Sequence, residues 1–190
     1  MVEQPSDQPD QQQNAGGFGT AIRRVMIIGA PGSGKSTAAR MIGEKLGLPV
    51  FYMDREVHWL PNWEERAKAE KMIAVDRIIA QKAWVFEGGH SSSYEKRAAR
   101  ADLLIWLDIP LWLRVIRVVR RSIRQRGQSR PDLADDCPEK LRMLPEFLHY
   151  ILTTNGSHKR RKHAFFDSAA LPKHRFKRTN DLNAFVKSLG

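Results

Sequence analysis

One stretch of the chain combines residue types that suit phosphate chemistry. Residues 29–37 read Gly-Ala-Pro-Gly-Ser-Gly-Lys-Ser-Thr, which fits the spacing G-x-x-x-x-G-K-[ST] of a phosphate-binding loop. Glycines let successive backbone N–H groups point at phosphate oxygens, and the N-terminus of a following helix adds partial positive charge. Lys35 is then placed to bridge the β- and γ-phosphates, and the Ser36 hydroxyl to bind Mg²⁺. The residues expected to hold a nucleotide are Gly29, Ala30, Pro31, Gly32, Ser33, Gly34, Lys35, Ser36 and Thr37.

The flanking sequence supplies the two elements that such a loop needs. Residues 25–28 form a short apolar run typical of a buried strand, and residues 38–46 carry apolar side chains at helical spacing. Gly47 is predicted to cap that helix, and Pro49 prevents its continuation. The alternative is a glycine-rich turn without a ligand. It explains neither the Lys-Ser-Thr sequence nor the order strand, loop, helix.

Acidic residues stand directly after three further apolar segments, each predicted to be a strand. They are Asp54, Glu87 and Asp108. In open α/β sheets, ligands bind outside the carboxyl ends of the strands, so Asp54 and Glu87 are expected to share a crevice with the phosphate loop. Asp108 precedes an Ile-Pro pair and is more simply explained as the N-cap of a helix.

Strands alternate with helices along the rest of the chain, which indicates a parallel α/β architecture. Residues 64–81 and about 110–127 are predicted helices. Asn155-Gly156 is expected to divide a later helical region into residues 139–153 and 158–170.

Length and composition favour one folded domain. The chain has 190 residues, of which 42% are hydrophobic, enough for a full core. Residues 1–20 are rich in Gln, Pro and Gly and are predicted to be a disordered tail, which leaves residues 21–190 for the domain. Cys137 is the only cysteine, which excludes an internal disulfide. We see no secretory signal and no membrane-spanning stretch, and so expect a cytoplasmic protein without a membrane partner, monomeric or weakly dimeric.

The net charge of +11 is concentrated in two basic blocks. Residues 112–131 hold seven arginines and no acid, and residues 158–178 hold eight Lys or Arg against Asp167 alone. Such blocks suit polyanions: nucleotides, nucleic acids or phosphorylated substrates. For the second block, a solvated basic surface is an equally good explanation.

Two tryptophans lie close together in a segment predicted to be a loop. Trp59 and Trp63 are separated by only three residues. They suit the aromatic wall of a substrate site, and they would equally well cap the core.

Taken together, these residues resemble the adenylate-kinase-like P-loop kinases, the nucleoside monophosphate kinase fold, and more closely the bacterial topology modulation proteins. The likeness covers most of residues 22–189. The stretches that carry it are residues 29–37, residues 84–88, Arg97 with Asp102, residues 107–110 with the arginines that follow, residues 130–132 and residues 137–140. It implies a three-layer α/β/α fold with a five-stranded parallel sheet in the order 2-3-1-4-5. It also implies a small Arg-rich lid at about residues 121–141.

The resemblance further implies a kinase that uses ATP and Mg²⁺ and a small-molecule acceptor. Seen this way, the catalytic residues are Lys35, Arg117, Arg121, Arg130 and Asp54, and Ser36 and Glu87 hold the metal, Glu87 through water. The acceptor site is expected to comprise Glu87, Gly88 and Arg97 together with Asp54, Trp59 and Trp63, which stand where the family has its AMP-binding helix.

The chain departs from adenylate kinases after the third strand. Those enzymes continue with Asp-Gly-Phe-Pro-Arg, whereas residues 87–90 read Glu-Gly-Gly-His, so Arg97 is expected to substitute for the acceptor arginine. The alternative function is a nucleic-acid-binding NTPase that affects DNA topology. No helix-turn-helix, zinc site or RNA-binding motif supports it.

Overall fold

A five-stranded parallel sheet forms the centre of the protein in a computed structural model that describes residues 22–128, 130–138 and 140–189. The strands are β1 Arg24–Gly29, β2 Val50–Tyr52, β3 Trp84–Glu87, β4 Leu103–Leu107 and β5 Lys173–Phe176. Their order across the sheet is β2-β3-β1-β4-β5, and all neighbours are parallel. The predicted order 2-3-1-4-5 is therefore confirmed, while the predicted tail, residues 1–20, lies outside the described ranges.

Helices cover both faces of the sheet, which confirms the three-layer α/β/α class. They are α1 Lys35–Leu46, α2 Lys68–Ile79, α3 Tyr94–Ala98, α4 Leu111–Arg124, α5 Leu144–Ser168 and α6 Thr179–Ser188. Successive residues of a strand point to opposite faces. Val25 and Ile27 accordingly pack with α1 and α6, whereas Met26 and Ile28 pack with α2, α3 and α5.

The three central strands are buried along nearly their whole length. Every residue of β3 and β4 is buried, and so are five of the six in β1. Strands covered on both faces are continuous apolar runs, which is why these three were predictable from sequence. Their carboxyl ends meet at the phosphate loop, since Gly29 pairs with Leu107 and Ile27 pairs with Glu87.

One long helix, α5, replaces the two helices predicted around Asn155-Gly156. A glycine inside a helix costs only about 1 kcal/mol relative to alanine. The Asn155 side chain accepts a hydrogen bond from the Arg114 guanidinium of α4, which holds this part of α5 against its neighbour. Pro145 lies in the first turn of α5, where its missing N–H costs nothing.

The segment between β2 and α2 folds as a small hairpin. A π-helical turn, Asp54–His58, leads into an antiparallel pair formed by Trp59–Leu60 and Glu64–Glu65. The predicted helix 64–81 therefore begins only at Lys68, because its first two residues are used in this pairing.

The connection from α4 to α5 folds against this hairpin. Leu133, Ala134 and Cys137 are buried and pack with Trp59 and Trp63. No helix in the described part of the chain is long and apolar enough to cross a membrane.

Hydrogen bonds join the connection and the hairpin at several points. The Trp63 indole N–H donates to the Pro138 carbonyl at 3.2 Å, and its backbone N–H lies 3.3 Å from Cys137 Sγ. The backbone N–H of Asn62 donates to the Asp136 carbonyl at 3.2 Å. The two segments are thus joined by backbone and side-chain contacts as well as by apolar packing.

Candidate active site

The phosphate loop joins β1 to α1 with the geometry that its glycines demand. Gly32 has a φ of +75°, and a Cβ there would lie 2.6 Å from the Arg114 carbonyl oxygen. Only glycine meets both the conformation and the space. The Ser33 N–H donates to the Ala30 carbonyl at 3.1 Å and closes the turn.

Three oxygen-bearing side chains from different elements meet beside this loop. The Ser36 hydroxyl, in the first turn of α1, lies 3.0 Å from Glu87 Oε1 and 2.9 Å from Asp132 Oδ2. Glu87 ends β3, and Asp132 belongs to the connection between α4 and α5. The single hydroxyl hydrogen can serve only one of the two carboxyl groups at a time, so oxygen acceptors are in excess here.

Glu87 is the buried member of this group, with a residue exposure of 3%. Its Oε2 lies 3.9 Å from the Lys35 ammonium and has no hydrogen-bond partner among the described residues. Burial raises the pKa of Glu87. The charges of Asp54 and Asp132 raise it further, against the lowering influence of Lys35.

Two of the predicted arginines face the loop from α4. Arg117 donates to the Ser33 carbonyl at 3.4 Å and to Thr179 Oγ1 at 2.7 Å, and Arg121 lines the same cleft. Arg120 and Arg124 of the same helix are exposed.

Arg130 reaches the loop from the connection that follows α4. Its side chain is 10% exposed, and its guanidinium lies 3.6 Å from the Asp132 carboxylate. Arg55 donates to the Pro131 carbonyl at 3.1 Å and holds this connection against the π-helical turn. Arg126 is exposed and does not line the cleft.

A single cleft of about 960 Å³ runs from the phosphate loop to the hairpin. Asp54, Trp59 and Trp63, which the sequence analysis assigned to an acceptor site, line it. The two indoles meet edge to face, with ring centroids 5.4 Å apart. Phe147 and Tyr150 of α5 add further aromatic surface.

A pair of histidines lies at the hairpin, and one of them, His58, lines the cleft. His58 and His90 pack edge to face with centroids 5.3 Å apart. Burial lowers the pKa of both imidazoles, that of His90 to about 4 with a further contribution from His58. Both shifts favour the neutral form of the ring.

Two residues predicted for the acceptor site have structural roles instead. Arg97 is fully buried, donates to the Gly88 carbonyl at 2.9 Å and the Phe86 carbonyl at 2.5 Å, and stacks over the Phe86 ring. It therefore cannot substitute for the acceptor arginine. Gly88 has a φ of +135°, and a Cβ there would lie 2.1 Å from Met53 Cβ, so Gly88 serves the packing of β2 against β3.

Alanine substitutions at Gly88 and at its neighbour Gly89 test the packing role of Gly88. We expect Gly88→Ala to destabilise the protein by about 3 kcal/mol or more, because backbone strain adds to a steric clash. That loss corresponds to a fall in melting temperature of roughly 6–12 °C for a chain of this size. Gly89→Ala is the control, since its Cβ would meet nothing closer than 3.7 Å. Equal melting temperatures for the two variants would contradict the assignment.

Asp108 is an ion-pair acceptor rather than a helix cap. Pro110 is the N-cap of α4, while the Asp108 carboxylate receives Arg175 Nε at 3.1 Å and lies 3.8 Å from the Lys159 ammonium. The prediction of an N-cap at Asp108 was therefore wrong, because β5 and α5 bring two cations to this carboxylate.

Sequence reasoning missed three residues of this region. Asp132 contacts Ser36 across 96 residues, although it lies in a stretch that the family resemblance already marked. Arg114 belongs to the arginine block, and its buried guanidinium donates to the Pro31 carbonyl at 3.4 Å. Lys162 belongs to the second basic block and lines the cleft while buried. Basic charge was visible in the sequence, but burial was not.

Comparison with known proteins relates the chain to small kinases. No protein-family model matches it. A cytidylate kinase from Aeropyrum pernix is 32% identical over 110 residues, which are 51% of this chain and 63% of the relative. A shikimate kinase from Blochmanniella floridana is 30% identical over 121 residues, 55% of this chain and 64% of the relative. The chain thus spans slightly less than two thirds of either relative.

Solved structures extend the likeness to nearly the whole chain. Shikimate kinase from Acinetobacter baumannii, in complex with shikimate, gives a TM-score of 0.52 at 15% identity and covers 87% of this chain and 89% of its own. Shikimate kinase from Bacteroides thetaiotaomicron gives a TM-score of 0.54 at 16% identity and covers 89% and 97%. The resemblance to the nucleoside monophosphate kinase fold is confirmed, and the chain has the fold of these P-loop proteins. The closer resemblance to the topology modulation proteins stays a prediction.

Proposed function

We propose that the protein is a phosphotransferase that moves the γ-phosphoryl group of ATP to a small acceptor. The observation that carries this proposal is the meeting of the Lys35 ammonium, the Ser36 hydroxyl and the carboxylates of Glu87 and Asp132 beside the phosphate loop. Lys35, Ser36 and Asp132 line one cleft of about 960 Å³, and the buried Glu87 carboxylate contacts Ser36 from behind it. That volume is at the upper end of the range for small-molecule sites and suits two substrates.

The side chains would act by positioning and by charge neutralisation, which are what phosphoryl transfer requires most. The loop N–H groups and Lys35 would hold the β- and γ-phosphates. Arg117, Arg121 and Arg130 would surround the transferring group, because guanidinium forks match phosphate oxygens. Asp54 would bind or deprotonate the acceptor hydroxyl. Residues from about 121 to 141 would form the lid that brings Arg130 into place.

The residues present fit Mg²⁺ carried by a nucleotide. Ser36, Glu87 and Asp132 supply hard oxygen atoms, and Glu87 Oε2 is buried with no hydrogen-bond partner in the described ranges. Mg²⁺ in such sites needs only one or two protein ligands besides phosphate and water. The ion would neutralise charge between the β- and γ-phosphates. Ser36 and Asp132 are the direct ligands in this proposal, with Glu87 acting through water.

Asp132 gives a test of the metal assignment. In the Asp132→Asn variant, the gain in ATP affinity that Mg²⁺ produces should fall roughly 10- to 100-fold or more, because loss of even an outer-shell partner of a metal costs that much. ATP titrations with Mg²⁺ and with EDTA measure this gain. Asp135→Asn removes an exposed carboxylate three residues away and should behave as wild type. An unchanged Mg²⁺ dependence in Asp132→Asn would remove Asp132 from the site.

The acceptor compartment is the aromatic end of the cleft. Trp59, Trp63 and Tyr150 offer flat apolar surface, and Asp54 and His58 offer polar groups that can orient a hydroxyl. This combination supports a small acceptor with a hydroxyl or phosphate to be phosphorylated and an apolar or planar body. A nucleotide, a nucleoside or another metabolite meets that description.

A phosphorylation panel tests the proposal. The full chain with Mg²⁺ and ATP should convert at least one acceptor from a set that includes cytidylate, other nucleoside monophosphates, nucleosides and shikimate. The first and last of these come from the names of the two curated relatives. Absence of transfer and of ATP hydrolysis, together with DNA binding that weakens steeply with salt, would favour the nucleic-acid-binding alternative. A cytoplasmic location and a monomeric or weakly dimeric state are further parts of the proposal.

A further inference from the structure

A second chamber lies behind the phosphate loop. Its volume is about 370 Å³, and it is bounded by Ala30 and Pro31, by the carboxyl ends of β4 and β5, by the start of α4 and by the middle of α5. It shares Ala30, Pro31 and two side chains of α5 with the cleft, but none of the loop residues from Gly32 to Thr37. The chamber therefore lies beside the phosphate-binding part of the loop and is separate from it.

The charges that line this chamber are strongly unbalanced. They are Arg114, Lys159, Lys162, Arg175, Lys177 and Asp108. Five cations therefore face one carboxylate, and that carboxylate is already engaged by Arg175 and Lys159.

Two of the five cations are buried and have only neutral partners. Arg114 is 4% exposed and donates to the Ile109 carbonyl at 3.1 Å, the Pro31 carbonyl at 3.4 Å and the Asn155 side chain. Lys162 is 7% exposed and donates to the His158 carbonyl at 3.1 Å. Among the described residues, neither forms an ion pair with a carboxylate. Buried charges in proteins are ordinarily paired, so this chamber lacks negative charge.

The pKa of Lys162 reflects the same excess of positive charge. Burial lowers its pKa to about 8, and the Lys35 and Arg114 charges lower it further, whereas Asp108 opposes them. Arg161 on the same helix also lowers it. An anion in the chamber would reverse these effects.

We propose that this chamber binds a compact polyanion, a small molecule with two or more adjoining phosphate or carboxylate groups. The volume lies at the lower end of the range for small-molecule sites, which limits the ligand to a few carbon atoms beside its charged groups. Arg114 and Arg175 each keep guanidinium N–H groups beyond those that their present partners use, and these can donate to the oxygens of either group. Ile109 and Ile151 provide a short apolar wall for the carbon skeleton.

The position of the chamber gives the ligand a route to the nucleotide. Arg114 donates to the carbonyl of Pro31 in the phosphate loop, and Lys162 lines both the chamber and the cleft. An anion that recruits these two cations would withdraw positive charge from the cleft and weaken nucleotide binding. This effect rests on the proposed function, whereas the anion site itself does not.

Calorimetric titration with pyrophosphate tests the site. The full chain is first saturated with Mg²⁺ and a non-hydrolysable ATP analogue, so that the phosphate loop is occupied. Pyrophosphate should still bind, and Lys162→Met should weaken that binding roughly tenfold or more, as for a lost hydrogen bond to a charged group. Arg160→Met is the matched control, because it removes an exposed cation of the same helix outside the chamber. Citrate in place of pyrophosphate distinguishes a carboxylate ligand from a phosphate ligand.

The outcomes separate this site from the proposed function. If neither anion binds to the nucleotide-saturated protein, or if both variants lose binding equally, the chamber is not a site. If the ATP analogue does not bind at all but Lys162→Met still abolishes pyrophosphate binding, the chamber stands and the proposed function fails. A higher melting temperature for Lys162→Met in anion-free buffer is expected as well, because the variant removes an unpaired buried charge.

Discussion

Replacement of Lys35 by alanine is expected to lower ATP turnover by roughly 10³-fold or more, the scale of losing a charge that stabilises the transition state. The Lys35 ammonium is the cation of the first turn of α1 and lies 3.9 Å from the buried Glu87 carboxylate. Burial already raises the pKa of Glu87, so this carboxyl group can take up a proton when the ammonium is lost and does not remain as an unpaired buried charge. The melting temperature should therefore change by only a few degrees, and steady-state turnover with ATP measures the effect.

Lys45→Ala provides the control for that loss. Lys45 is an exposed lysine in the last turn of the same helix, so its removal changes the net charge equally but leaves the phosphate loop intact. It should retain wild-type turnover. Full turnover in a folded Lys35→Ala variant would contradict the assignment of the loop.

The arginines of the first basic block should divide sharply on substitution by alanine. Arg117, Arg121 and Arg130 line the cleft, and loss of an arginine that stabilises the transferring phosphoryl group costs about 10³-fold or more in turnover. Arg126 is exposed outside the cleft and should cost less than about twofold, as for a surface charge. Turnover and melting temperature are measured on each variant. The three cleft variants should differ from the Arg126 variant in turnover but not in melting temperature.

A uniform result would point to another function. If all four variants lost activity mildly and equally, and if that loss varied with salt, the block would be a general polyanion surface. The nucleic-acid-binding alternative would then be preferred to the phosphotransferase.

The parts of the fold that depend on local pattern were predictable from sequence. The phosphate loop is continuous in the chain, and β1, β3 and β4 are apolar runs because both faces of the sheet are covered. Gly47 ends α1 in the left-handed conformation that its position indicated. Asp54, after β2, and Glu87, the last residue of β3, were also expected near the phosphate loop, since parallel strands end at the same edge.

The parts that depend on tertiary contact were not predictable. Arg97 and Arg117 are the same residue type, and only the fold decides that one braces carbonyl groups in the core while the other faces the loop. Asp132 reaches Ser36 only because the connection after α4 folds back over α1. Asn155-Gly156 does not end a helix because a guanidinium from α4 holds the asparagine side chain.

The junction between the hairpin and the connection after α4 has a consequence for how two substrates would bind. Trp63 is joined to Pro138 and Cys137, and Asn62 to Asp136, so a shift of either segment displaces the other. A donor nucleotide that draws Arg130 inward would thereby fix the position of the hairpin, which carries Trp59 and Trp63. Thermodynamic reciprocity then requires the acceptor to tighten nucleotide binding by the same factor. The expected behaviour is heterotropic cooperativity between donor and acceptor, with slow futile hydrolysis of ATP when the acceptor is absent.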